Sequence, residues 1–492
     1  MACSAGCAHV VLVPTPVGGH CIPFFYLASR FAHLGLRVTF LVAEGLVPQL
    51  YTHKLFTPHV GLIQREGIEV LSVKDGFSHL GFGPGLMAVF REASEPQLVA
   101  GFSEGMATLM SSTKVPAPCC IVSDMLMGWT QIMAAKFNIP RFVLHTQSAA
   151  NLSLMLHVPT LLSEGRLPLT ETNQEKPVEI PGFQVPLPTS ELPSDLHPNA
   201  MLPNAYETFL RISRRAAEAP IVLVNTFREL EDNVFDALDG LHQNSATPKP
   251  KVIPVGPLLP SAAFSTHGDA TTVNGTSEEL DESIMRFLDS QPRKSVLFIT
   301  FGTAGILQGE QHIQEIALGL EASGQPFLWT QGPSLMDPNK PTLSQLVPPG
   351  FLERTKERGM VVSAWAPQMR ILQHLAVGAF LSHCGWNSVL ESIAAGLPIL
   401  AWPQRAEQKM NARFLVDVAK VAVEFKRSEG QKITRREIER VVRLVMQQQE
   451  GEALRSNIQS LKEAAARNAS SVEGLKAFVS LCEDMCKHRC CT

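Results

Sequence analysis

Short runs in which every residue is apolar recur along the chain, and most are followed by a stretch with helical spacing. A run with no polar alternation has no solvent face, so it predicts a strand buried on both sides, the habit of parallel sheets. In the first half these runs cover residues 9–13, 36–42, 120–124, 140–144 and 221–225. The first closes in Pro14-Thr-Pro-Val-Gly-Gly-His20, after which an amphipathic helix is predicted over residues 24–33. The second half repeats the pattern with strands at 295–301, 327–330, 359–365, 377–381, 398–402 and 421–425 and helices at 311–323, 388–395 and 408–419. Thr434 with Glu437 before an apolar run predicts a reciprocal capping box. Residues 162–202, rich in Pro and acids, follow neither period and are expected to lie over the surface of the first lobe. Residues 260–283 have a linker's composition. The reading is α/β with two open parallel sheets facing a cleft: an N-terminal domain 1–259, a linker 260–283, a second domain 284–468 and a last helix 469–492.

At 492 residues, 45% hydrophobic and 18% charged, the chain has a soluble globular composition, and a net charge of −4 gives no attraction for a nucleic-acid backbone. A signal peptide is not expected, since no basic segment precedes the run that Pro14 and Pro16 interrupt. Neither is a membrane span, since no apolar stretch reaches about 18 residues. Ten cysteines are too dilute for a disulfide framework, which points to the cytoplasm. Cys482, Cys486, His488, Cys490 and Cys491 lack the paired spacing of zinc ligands and read as a packed helix with a thiol-bearing tail. Met125, Met127, Met133 and Trp129 are expected to pack as core.

Ligands of such sheets bind beyond the carboxyl ends of the strands. His20, Asp124, Thr303, His383 and Glu407 all stand there. From Trp365 to Gln408 the chain carries W-A-P-Q, H-C-G-W-N-S, L-E-S, G-x-P and W-P, closing in Glu-Gln over 44 residues. This segment resembles the signature box of plant family 1 glycosyltransferases, which move a sugar from a UDP-sugar to a small acceptor. The Pro16–His20 turn, P-x-x-G-H, and the Val122–Asp124 strand end, V-x-D, extend the resemblance. It implies a GT-B fold of two Rossmann-like domains and a UDP-sugar co-substrate, with the last helix crossing back onto the first domain through Val472, Leu475, Phe478, Val479 and Met485.

The box is chemically coherent by itself. Cys384-Gly385 turns the chain from a strand into a helix whose first amides, at Trp386-Asn387-Ser388, make an anion site for a diphosphate. His383 can donate to a phosphoryl oxygen as the leaving group gains charge. Glu391, three residues after Ser388, can accept from two ribose hydroxyls, and Trp365 can stack on uracil, with Gln368 beside it in the box. Thr303, between Gly302 and Gly305, is a further candidate donor to the diphosphate. The resemblance places the sugar on Glu407 and Gln408, where the family more often has Asp before Gln; Gln408 implies glucose, and Trp386 a neutral sugar. It also places Thr146 against the donor sugar. No Asp-x-Asp pair stands near the phosphate site, so no metal is expected.

For the first domain the expected machinery is His20 as base with Asp124 holding the opposite ring nitrogen. The expected reaction is inverting transfer from UDP-glucose to a hydroxyl of a small phenolic, such as a flavonoid, by a monomer with no nucleic-acid or membrane partner. Phe82, Phe90, Leu154 and Phe183 are candidates for the acceptor pocket. Transfer to ring carbon, another UDP-sugar, a sugar-nucleotide epimerase or hydrolase, and a non-catalytic binding protein are the alternatives.

Overall fold

The apolar runs form strands that pair in parallel. A computed structural model describes residues 8–15, 17–45, 47, 57–76, 94–200, 204–244, 249–264, 278–302, 309–332, 341–428 and 432–490. The chain divides into one unit of Met1–Ser190, Ser194–Leu259 and Asn468–Thr492, and another of Glu191–Pro193 and Pro260–Arg467.

The first unit is built on β1 (His9–Val13), β2 (Arg37–Ala43), β3 (Glu69–Val73), β4 (Cys120–Asp124), β5 (Arg141–His145), β6 (Ile221–Val224) and β7 (Lys251–Pro254). Their order is β3-β2-β1-β4-β5-β6-β7. β1 pairs with β2 on one side and β4 on the other, so the winding reverses between β1 and β4. Helices therefore lie on opposite faces of the sheet around this point and leave a crevice at the strand ends. The pattern missed the edge strands β3 and β7. Their polar or half-buried residues break the all-apolar signature, because an edge is not covered on both faces. The last helix, Glu473–Cys490, inserts Leu475, Phe478, Val479 and Cys482 into this unit's core. Phe478 stacks on Phe31 at 5.4 Å and meets Phe142 edge-on at 5.1 Å, and each such side chain contributes about 1.5–3 kcal/mol of burial.

The Pro-rich segment is exposed over much of its length, as expected, but is anchored by single buried residues. Leu167, Val178, Ile180, Phe183 and Leu187 are buried, and Val178 and Leu187 exchange backbone hydrogen bonds of 2.8 Å. Irregular chain buries its apolar residues singly, which leaves no period to detect.

The second unit has β8 (Val296–Thr300), β9 (Phe327–Thr330), β10 (Gly359–Val362), β11 (Val377–Ser382), β12 (Ile399–Ala401) and β13 (Ala422–Glu424) in the order β10-β9-β8-β11-β12-β13. Its switch point lies between β8 and β11. The helix Glu278–Asp289 starts inside the stretch read as linker. Thr434 accepts from the Glu437 amide at 3.4 Å, but the Glu437 carboxylate turns to the Lys426 amide and Arg440. Only half of the capping box therefore forms, because two nearby donors outcompete the cap amide. Gln408–Arg413 continues as a π-helical turn, Phe414–Val418. Among the described residues no helix is long and apolar enough to cross a membrane.

Candidate active site

Each unit gathers polar side chains at its own switch point. In the first, the helix after β1 begins at Gly18 rather than Phe24. Pro23 sits inside the helix at the cost of one amide. His20 is thereby in the first turn, its amide donating to Val17 O at 2.9 Å. Its Nδ1 lies 2.9 Å from Asp124 Oδ2 and 2.9 Å from Thr146 Oγ1, although Asp124 is 104 residues away in sequence. Asp124 is fully buried, and its other oxygen accepts from the Leu126 amide at 2.9 Å. An ionised carboxylate can only accept, so Asp124 favours the tautomer with the proton on Nδ1 and the lone pair on Nε2.

Thr146, expected against the donor sugar, is 2% exposed with its hydroxyl on His20. Its neighbour His145 closes β5, donates through Nε2 to Ser148 O at 3.1 Å, and is held neutral by burial, with a pKa of about 3. Met125, Met127, Met133 and Trp129 are buried. Leu154 and Phe183 are packed interior with no accessible surface, so neither offers a wall to an acceptor. Phe82 and Phe90 lie outside the described residues.

The sequence reading missed Glu231. Its carboxylate, 2% exposed, accepts from the Ala149 and Ala150 amides at 3.0 and 2.8 Å, the first two of the helix that follows Thr146. The residue lies beyond a strand end, but only the fold shows which amides it meets. Burial raises its pKa from 4.5 to about 7. The folded state thus holds this proton more tightly than the unfolded chain, so the associated stability is full below pH 4.5 and lost as pH rises through about 7. Wild type should lose up to about 3 kcal/mol relative to Glu231→Gln across that window, measured by thermal unfolding at pH 5, 6 and 7. A constant difference would contradict the shift.

In the second unit His383 follows β11, and its ring is wedged between two glycines. A Cβ on Gly302 would stand 2.7 Å from His383 Cε1, and one on Gly385 2.5 Å from Nε2. Burial lowers its pKa to about 4, with Arg405 adding to the effect, and its Nδ1 is buried with no hydrogen-bond partner among the described residues. Cys384 turns the chain at φ 61°, and Asn411 braces the turn by donating to Cys384 O at 3.0 Å. The helix Trp386–Ala395 then starts, with Gly385, which has no side chain, as its N-cap. Gln368 donates to Ser388 Oγ at 3.1 Å and to the Glu391 carboxylate, which gathers three box residues at one point. Burial raises the Glu391 pKa to about 7. The Trp365 indole lies against Gly332, beyond β9, where a Cβ would come within 2.8 Å of it.

Glu407 and Gln408 are nearly buried at the start of their helix. Glu407 accepts from Asn411 Nδ2 at 3.4 Å. Gln408 does not present both ends of its amide to a ligand: its Oε1 accepts from the Gln404 and Arg405 amides at 3.0 and 3.1 Å. Both lone pairs are used in folding the loop, and Nε2 remains the donor. Thr303 lies outside the described residues.

The family model for UDP-glucoronosyl and UDP-glucosyl transferases matches residues 73–465. The chain is a plant family 1 UDP-glycosyltransferase. This glycosyltransferase is 34% identical to a hydroquinone glucosyltransferase of Rauvolfia serpentina, over 97% of each chain. It is 34% identical to UDP-glycosyltransferase 72B1 of Arabidopsis thaliana, over 93% of this chain and 92% of the relative. Among solved structures it resembles a Polygonum tinctorium UDP-glucosyltransferase capable of glucosylating indoxyl, with a TM-score of 0.79 and 30% identity over 98% of this chain and all of that one. The two Rossmann-like units are accordingly those of the GT-B fold.

Proposed function

We propose that the glycosyltransferase moves glucose from UDP-glucose to a hydroxyl of a small phenolic acceptor with inversion, giving a β-O-glucoside. The observation that carries this reading is the His20 ring, whose Nδ1 is held by Asp124 and Thr146. Nε2 takes the acceptor proton while the acceptor oxygen forms its bond to C1 of the α-linked sugar. The bond from C1 to the phosphate oxygen breaks, and UDP leaves with the electron pair. Asp124 offsets the charge on the imidazolium as it forms. His383 and the amides opening the helix Trp386–Ala395 meet the charge on the diphosphate, so the reading requires no metal. Glu391 and Gln368 hold the ribose, and Trp365 the uracil.

Phenolic acceptors are supported by the relatives, one named for hydroquinone and one, from a Rosa hybrid cultivar and 35% identical over 76% of this chain, named anthocyanidin 5,3-O-glucosyltransferase. Cys21, Cys119, Cys120, Cys384 and Cys482 are free thiols, in keeping with a cytoplasmic setting.

The test is UDP-glucose with a panel of phenols, followed by acid hydrolysis of the products. Acid-labile products are expected, and acid-stable ones would mean transfer to carbon. Donor choice follows from Gln408. With its carbonyl committed, a sugar hydroxyl must accept from Nε2 and a neighbour must donate to Glu407. Misplacing one hydroxyl costs roughly 1–3 kcal/mol, so UDP-glucose should beat UDP-galactose by about 10- to 100-fold in direct competition. A preference for galactose or glucuronate would overturn the assignment of Gln408.

A further inference from the structure

Away from both switch points, three sulfurs meet in the core of the first unit. Cys119 precedes β4, Cys120 opens it, and Cys482 comes from the last helix. Sγ of Cys120 is 3.9 Å from Sγ of Cys119 and 3.9 Å from Sγ of Cys482, and all three lie within 4.8 Å of one another. None is more than 2% exposed. The separations are nearly twice a disulfide bond of about 2.05 Å. Three sulfurs on one small centre stand closer together than these, the more so on a pyramidal centre with a lone pair, so binding would draw the three in by a side-chain adjustment.

Charge decides what such a site can take. The surrounding cluster is apolar, with Phe24, Phe31, Phe142 and Phe478 among its members. The nearby His9 cannot serve as a fourth ligand, because its ring nitrogens are bound to Pro116 O at 2.7 Å and Thr39 Oγ1 at 2.9 Å. Structural zinc wants four ligands. On three thiolates zinc leaves a net charge of −1 and a cuprous ion −2, and an uncompensated buried charge is expensive. Trivalent arsenic leaves none: arsenous acid and three thiols give the neutral trithiolate and three waters, with three As–O bonds exchanged for three As–S bonds and no change of oxidation state.

We propose that Cys119, Cys120 and Cys482 form a binding site for trivalent arsenic, supplied as arsenite, that staples the last helix to the head of β4. Entry is by opening of the terminal helix, which costs less than global unfolding. The site is independent of the donor and acceptor assignments.

The experiment incubates the folded full-length enzyme with one equivalent of arsenite under a phosphine reductant, desalts it, and measures intact mass, thermal unfolding and arsenic X-ray absorption. Wild type should gain one arsenic in place of three hydrogens, melt at a higher temperature and show three sulfur neighbours. Cys482→Ala should bind at least about tenfold more weakly, equal to about 1.4 kcal/mol. The triple variant Cys486→Ser, Cys490→Ser, Cys491→Ser should bind as wild type does, although it removes the other sequence-local group of thiols. Absence of uptake by the folded enzyme, oxygen neighbours at the arsenic, or loss of binding in the triple variant would each overturn the proposal. The absorption spectrum of wild type decides the matter even if Cys482→Ala fails to fold.

Discussion

His20→Ala is expected to lower turnover by about 100-fold or more, in the range for loss of a general base, while UDP binding stays near wild type. The separation follows from where the groups sit, with the ring on the first unit and the box that we assign to UDP on the second. Asp124→Asn should lose a similar factor. An amide nitrogen placed at 2.9 Å from Nδ1 would donate to it and move the ring proton to Nε2, where the acceptor proton has to go. Thr146→Val removes the second partner of Nδ1 and leaves Asp124, so its loss should be smaller than either. Steady-state rates beside calorimetric UDP titration check all three. Near-normal turnover by His20→Ala would remove the base from the account.

Gly385→Ala carries the second largest expected effect. Its methyl would enter at 2.5 Å from His383 Nε2, too close for the ring to stay where it is. Gly385 itself has an ordinary φ of −63°, so the cost is steric and falls on His383 rather than on the backbone. If His383 donates to the diphosphate, displacing it should lower kcat/KM by about 100-fold, or about 3 kcal/mol. A double-mutant cycle tests the route. His383→Ala and Gly385→Ala remove the same interaction, so the double variant should be no worse than the poorer single one. Additive losses would mean that Gly385 acts by some other path.

The strands that position both sites were legible because burial on two faces leaves a continuous apolar run. β1, β4 and β9 begin and end at the residues that the pattern marks. The meeting of His20 with Asp124 was legible in outline, since both stand at strand ends and parallel order brings such ends together. What the pattern could not carry are contacts made by single residues across the fold. Glu231 reaches amides 81 and 82 residues away, and Cys482 meets a sulfur 362 residues away. The commitment of the Gln408 carbonyl was hidden for another reason: it is local, but it depends on the loop presenting the Gln404 and Arg405 amides to one oxygen. Edge strands and the Pro-rich anchors escaped because neither leaves a regular period.

The most direct test of the central claim is the anomeric configuration of the first glucoside formed from UDP-α-glucose, followed by proton NMR during the reaction. One displacement, with His20 as base and UDP as leaving group, inverts C1, so the account predicts the β-glucoside from the earliest spectra. An α-glucoside as first product would contradict it.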